Sequence, residues 1–275
     1  MTAPMTDPTT TPMTDAMTDP MTDARTALAC LDLTSLNDAD DAAAISALCA
    51  RALDVAGRLG APAALCVWPR FAAQARAALP PAIRVAAVVN FPAGGSDAVA
   101  AAAETRAIVA AGADEVDLVL PWRALRDGDA AAARALVAAV RAACAGQTLK
   151  LIIESGELDR PALIHQACQI GLDAGVDFLK TSTGKMPAGA TPAAARVMLQ
   201  AIAAHPRGAA VGFKASGGVR SVADAAQYIA LVREILGAAA LTPQRLRFGA
   251  SGLLGDIEAL LQGSGAGHSA VDGAY

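Results

Sequence analysis

Between Leu28 and Gly249, short apolar runs alternate eight times with longer alanine-rich stretches, and this rhythm restricts the possible folds more than any other feature. The runs are 28–33, 63–68, 83–90, 115–120, 148–154, 176–181, 209–214 and 245–249, short and aliphatic as buried strands require. Helical spacing is expected over 40–58, 71–79, 97–111, 128–144, 159–173, 192–204, 221–236 and 253–262. Strands that alternate with helices in this way form parallel βα units, because a parallel neighbour is reached only through a crossover. Eight such units in 275 residues match a single (β/α)8 TIM barrel of the α/β class. An open doubly wound sheet would more often show a GxGxxG turn after its first strand, whereas here that strand ends Asp32-Leu33-Thr34-Ser35-Leu36 without glycine.

The two ends of the chain differ from this pattern. Residues 1–24 repeat Met-Thr-Asp and Met-Thr-Ala with Pro and Thr, and lack both the basic start and the apolar stretch of a secretory signal. They are expected to form a disordered low-complexity tail, with the barrel domain over 25–262 and a flexible C-terminal tail over 263–275 that ends in Tyr275. Five cysteines without a CxxC pair, and three isolated histidines, fit a reduced cytoplasmic protein better than a disulfide framework or a zinc site. A net charge of −4 with scattered basic residues argues against nucleic acid or an anionic membrane as the main partner.

In a barrel the chemistry gathers at the C-terminal ends of the strands. Those ends carry Asp32, Cys66, Asn90, Asp117, Glu154, Lys180 and Lys214. If Val176 and Phe178 point inward, so does Lys180; if Val211 and Phe213 face the helices, Gly212 and Lys214 face the barrel axis. Two lysines in one enclosed space disfavour each other's charge, so one loses its proton near neutral pH and becomes a nucleophilic amine. The bland alternative is a strand-end lysine that snorkels to solvent. Asp32, Asp117 and Glu154 can balance the remaining charge and relay protons, although a structural tie is the simpler reading of Glu154. Cys66 reads as a packed thiol with some exposure to the site. Glycine turns follow the last three strands: Thr183-Gly184-Lys185, Ser216-Gly217-Gly218-Val219-Arg220 and Gly249-Ala250-Ser251-Gly252. Their exposed N–H groups, with Lys185 and Arg220 nearby, suit a phosphate.

These residues give the chain a resemblance to the deoxyribose-phosphate aldolases from about Leu28 to Tyr275. The segments that carry it are LDLTSL from Leu31, CVWPR from Cys66, VNFP from Val89, ADEVD from Ala113, IESGEL from Ile153, FLKTSTGK from Phe178, GFKASGGVR from Gly212 and RFGAS from Arg247. The resemblance implies reversible cleavage of 2-deoxy-D-ribose 5-phosphate to D-glyceraldehyde 3-phosphate and acetaldehyde, in deoxyribonucleotide catabolism, without metal or cofactor. It implies that Lys180 forms the Schiff base, that Lys214 is the cation tuning it, that Asp117 is the acid/base partner of Lys214, and that Asp32 supports the lysine pair. Thr34, Leu36 and Cys66 would meet the sugar, and Gly184, Lys185, Gly217, Gly218, Arg220, Gly249 and Ser251 the phosphate. Tyr275 would bring its phenol to the enamine. Gly252 departs from the family, in which a second serine is frequent there. A sugar phosphate and acetaldehyde are the implied partners, with a homodimer as an assembly left open. Two other readings stand beside this one: a different Schiff-base sugar-phosphate aldolase or transaldolase-like enzyme, and a non-catalytic sensor of sugar phosphates, which has no use for paired inward lysines.

Overall fold

The computed structural model describes residues 19–263. Eight parallel strands close into a barrel in chain order: β1 Leu31–Thr34, β2 Ala64–Val67, β3 Arg84–Val89, β4 Glu115–Val119, β5 Thr148–Ile152, β6 Phe178–Lys180, β7 Gly212–Ser216 and β8 Leu246–Ala250, with β8 pairing back to β1. The expected TIM barrel is the fold. Its helices are α1 Pro20–Ala29, α2 Ala42–Arg58, α3 Ala72–Ala78, α4 Ala98–Ala110, α5 Trp122–Arg126, α6 Ala130–Ala143, α7 Pro161–Asp173, α8 Pro192–Ala204, α9 Val222–Leu236 and α10 Leu253–Leu261. None of the described helices is long and apolar enough to cross a membrane.

One expectation is corrected at the N-terminus. Residues 19–24, assigned to the tail, begin a helix: the Asp19 carboxylate accepts from the N–H groups of Met21 and Thr22 at 3.2 Å, and Pro20 occupies the first helical position. Both are helix-start signals that the repetitive composition obscured. Ala24, Ala27 and Leu28 are buried, and α1 packs on α9 and α10. Leu28 therefore belongs to the last turn of this helix, and the first strand starts at Leu31 instead.

Alternation along each strand sorts the side chains into two compartments. Leu31, Leu33, Leu65, Val85, Val116, Leu118, Leu149, Leu151, Leu179, Phe213, Leu246 and Phe248 join the apolar layer between strands and helices. Val176, expected inward, belongs to this layer too, because it precedes β6. The complementary set faces the axis, where the lower part of the barrel is filled partly by the Phe178 ring, 5.4 Å from the Arg247 guanidinium. Gly212 makes room for that ring: a Cβ at 212 would lie 2.2 Å from Phe178 Cε1.

Gly212→Ala should therefore displace Phe178 and cost about 1–3 kcal/mol, the usual range for overpacking. Urea denaturation checks this, and an unchanged midpoint would mean that the ring has room to yield.

Candidate active site

The interior has two unlike walls. On β2 and β3 the inward residues are small and apolar: Cys66, Ala86 and Val88 form one cluster with Leu36, against which Trp68 and Phe91 pack. Every other strand contributes a charged side chain. Asp32 comes from β1, Glu115 and Asp117 from β4, Lys150 from β5, Lys180 from β6, Lys214 from β7 and Arg247 from β8, all of them buried.

These groups form one connected network. Asp117 is its hub: Oδ1 accepts from Lys150 Nζ at 2.8 Å, and Oδ2 accepts from Lys180 Nζ and from Lys214 Nζ, each at 2.8 Å. Lys214 also reaches Asp32 Oδ2 at 2.5 Å, and Lys150 lies 2.5 Å from Glu115 Oε2 and 3.4 Å from Asp32 Oδ2. Below them Arg247 bridges Asp32 Oδ1 at 2.6 Å and Glu115 Oε1 at 2.9 Å. The lysines are thus not equivalent. Lys150 meets three carboxylates and Lys214 two, but Lys180 meets only Asp117, on the oxygen that Lys214 shares.

Protonation follows from that ranking. Burial pushes Lys180 below the usual 10.5, the single carboxylate does not make up the loss, and the Lys214 charge pushes it further down. Burial also opposes the charge on Lys214 and Lys150, yet their carboxylates outweigh it and raise both. Asp32 and Asp117 are lifted by burial but end well below the ordinary 3.8, because the surrounding cations dominate. The depressed amine expected at Lys180 is therefore present in direction, with desolvation its first cause and the neighbouring lysine a later one. Cys66 has no exposure to the site; its sulfur lies 4.0 Å from Asp117 Oδ2, and burial raises the thiol.

The turn after Lys180 is fixed from both sides. Thr181 Oγ1 and Ser182 Oγ donate to the Ser216 carbonyl on β7, and Thr183 Oγ1 donates to Glu154 Oε2 at 2.6 Å. Glu154 sits at φ +54 after β5, and burial raises its carboxyl. Its two oxygens serve Thr183, which supports the structural tie.

Above the network opens a cavity of about 250 Å³ lined by Thr34, Leu36, Gly184, Lys185, Gly217, Gly218, Arg220, Gly249 and Ser251 together with Gly252 and neighbouring residues. Every expected substrate-binding residue except Cys66 is in this lining. Gly249 joins cavity and lysines, since a Cβ there would meet Ser216 Oγ at 2.8 Å and Lys214 Cε at 3.0 Å. Gly184, Gly217 and Gly218 all have positive φ, which other residues adopt only with strain. Lys185 extends toward Asp38 at 3.6 Å, and Arg220 is exposed. Tyr275 lies outside the described residues. The reading of strand ends missed Lys150, Glu115 and Arg247, although the same alternation that marked Asp117 and Lys214 marks them as inward.

The helices that follow β7 and β8, α9 and α10, begin beside this cavity, and their N-termini differ. At α9 the N–H groups of Arg220 and Ser221 both donate to Asp224 Oδ2 at 2.9 Å, Val222 N–H donates to Asp256 Oδ2 at 2.7 Å, and Asp224 N–H donates to Ser221 Oγ. At α10 the N-cap is Gly252, which has no side chain to cap the helix. The first N–H groups of a helix have no partner within it, so α10 keeps donors for an incoming anion that α9 has already engaged.

Residues 26–254 match the model of the DeoC/LacD family aldolases. Among solved structures, the chain is similar to a Coccidioides immitis protein provisionally named a deoxyribose-phosphate aldolase, with 26% identity, a TM-score of 0.74 and 86% of each chain covered. It is also similar to a Toxoplasma gondii protein with the same provisional name (23% identity, TM-score 0.80, 88% of this chain and 95% of that one). A third is the tetrameric deoxyribose phosphate aldolase of Aeropyrum pernix (22%, 0.67, 88% and 97%). The last two are likenesses of fold alone.

The network sets a stability profile. Asp32 and Asp117 titrate below 3.8 in the folded protein, so their contribution is complete above that value and is lost as pH falls through and below it. Glu154, raised by burial, works in the opposite sense. Urea midpoints should fall progressively as pH drops below about 4, and fall less in Asp117→Asn; a flat profile would show that the cations do not hold these carboxylates.

Proposed function

The chain belongs to the DeoC/LacD family of aldolases, and from that premise we propose that it cleaves 2-deoxy-D-ribose 5-phosphate reversibly through a Schiff base on Lys180. The observation that carries this reading is the position of Lys180 at the margin of the network: of the three buried lysines it is the one with a single carboxylate partner, and the turn that follows it lines the cavity. A neutral amine there is the nucleophile that aldol cleavage without a carbonyl-polarising metal needs.

The steps balance as follows. The Lys180 amine adds to the C1 aldehyde, and the carbinolamine loses its hydroxyl as water to give an iminium. The C2–C3 bond then breaks, its electrons moving into the iminium as the C3 hydroxyl gives up its proton, and D-glyceraldehyde 3-phosphate leaves. The enamine on Lys180 takes a proton at C2, and water returns acetaldehyde and the free amine. Lys214 holds its proton tightly and shares Asp117 Oδ2 with Lys180, so it keeps the nucleophile neutral and stands ready to donate to the departing oxygen. Asp117, held well below its ordinary value, is a weak base on its own; it passes a proton only when one of its lysines releases another in the same step. Asp32 anchors Lys214. The phosphate is placed on the Gly249-Ala250-Ser251 turn and the α10 N-terminus, with Lys185 and Arg220 at the rim. A Cβ at Gly252 would meet nothing within 4 Å, so the missing serine leaves open space and no strain.

Borohydride reduction in acetaldehyde should add a two-carbon fragment to the peptide containing Lys180, and an adduct confined to Lys150, Lys185 or Lys214 would sink the assignment. Turnover of 2-deoxyribose 5-phosphate in preference to fructose phosphates separates this reading from other Schiff-base aldolases. Lys214→Leu removes the neighbouring cation, so activity should fall by about tenfold to a thousandfold and the pH profile should move to higher pH.

A further inference from the structure

The buried network contains more cations than carboxylates. Lys150, Lys180, Lys214 and Arg247 face Asp32, Glu115 and Asp117, so full ionisation leaves one positive charge unmatched. No other charged group meets these seven within ion-pair distance among the described residues. From β2 the only titratable inward group is the Cys66 thiol, which burial keeps neutral, and β3 presents Ala86 and Val88. After β5, Glu154 gives its oxygens to Thr183; at the rim Lys185 faces Asp38, and at the foot of β3 Arg84 faces Asp114. An unmatched charge in a dry interior is costly, and the least costly remedy is to release the proton held by the fewest carboxylates. That proton is on Lys180. Arg247 cannot release one, because a guanidinium stays charged in proteins.

We propose that Arg247 and Glu115 are positioning residues that set the protonation of the Lys180 amine from the floor of the barrel, Arg247 by supplying the excess cation and Glu115 by limiting the excess to one. Neither lines the cavity. The Arg247 side chain runs away from it, with Nε donating to the Pro243 carbonyl before β8, Nη1 on Asp32 and Nη2 on Glu115. Its influence travels by charge: Arg247 holds Asp32, Asp32 holds Lys214, and Lys214 shares Asp117 Oδ2 with Lys180. Without the Arg247 charge, three lysines meet three carboxylates, every ammonium is matched and Lys180 keeps its proton. Without the Glu115 charge, four cations meet two carboxylates and Lys180 loses its proton more readily. Loss of packing alone would not give opposite signs at two residues in direct contact.

The inference rests on Lys180 as the Schiff-base lysine, and the test reads that residue directly. Full-length protein is incubated with acetaldehyde and cyanoborohydride across a pH series, and modification of the Lys180 peptide is followed by mass spectrometry. Arg247→Gln should move the acidic limb of Lys180 trapping to higher pH by about one unit or more, the size of shift that a nearby charge gives. Glu115→Gln should move it to lower pH, and the double variant, with three cations and two carboxylates, should return it close to the parent position. If Arg247→Gln alone does not fold, Glu115→Gln and the double variant still require a shift down followed by a return. Trapping at Lys180 with an unmoved limb, or shifts of the same sign in both single variants, would overturn the inference and leave the Schiff-base reading intact. Absence of Lys180 trapping in the parent protein at every pH would overturn that reading and the inference with it.

Discussion

Charge balance in a closed space governs this structure. Seven charged side chains share the barrel interior with almost no access to water, and each is tolerable only because of the others. A buried ion pair adds little net stability, but removing one partner typically costs about 3–5 kcal/mol, since the remaining charge is stranded. Asp117 cannot be considered apart from Lys150, Lys180 and Lys214, nor Asp32 apart from Lys214 and Arg247. The stability of the barrel comes from elsewhere, from the aliphatic layer between strands and helices. What the network supplies is a buried lysine, Lys180, whose proton is held less firmly than those of Lys150 and Lys214, because burial and the Lys214 charge outweigh its single carboxylate.

The scaffold keeps the two ends of that network distinct. β2 and β3 give only small apolar groups, so Leu36, Cys66, Ala86 and Val88 form a dielectric wall opposite the lysines. Low polarizability on one side strengthens every charge interaction on the other. Above, the Thr181-Ser182-Thr183 turn is tied to Ser216 on one side and Glu154 on the other, which holds the backbone of Lys180 between two neighbouring strands. Below, Arg247, Glu115 and Phe178 fill the floor. Lys180 is therefore held from above by a turn that reaches the cavity through Thr183 and Ser216, and from below by groups that do not line it.

Much of this was legible in the chain, for a specific reason. A barrel strand has a two-residue period and one buried polar face, so a charge inside an aliphatic run announces its own direction. Asp32, Asp117, Lys180 and Lys214 were found in that way, and the glycine turns located the cavity. Lys150, Glu115 and Arg247 obey the same rule but lie deeper in their strands, where attention to strand ends does not reach. The first helix was hidden because Asp19 and Pro20 sit in a repetitive segment whose composition suggests disorder. Cys66 was expected to have some exposure to the site; it is instead fully buried on β2, in a cluster with Leu36 from the loop after β1, a contact between separate parts of the chain that no local pattern records.

The choice between the two helix N-termini shows most clearly what sequence leaves open. Ser221 and Asp224 form a capping box that can be read locally, and it already suggests that α9 satisfies its own donors. The decisive contact is not local. Asp256, in the first turn of α10, turns its carboxylate toward the N–H of Val222, so an acid that would repel an anion at its own helix instead closes the end of the neighbouring one. α10 then keeps a glycine N-cap, a first turn without a side-chain cap among the described residues, and beside it Gly249 at the end of β8, where a Cβ would crowd Ser216 and Lys214. An anion seated there lies on the strand adjacent to Lys214, which is itself adjacent to Lys180. The order of strands runs from Lys180 on β6 through Lys214 on β7 to Gly249 on β8, so under the proposed function a phosphorylated aldehyde enters with its carbonyl toward β6 and its phosphate toward β8.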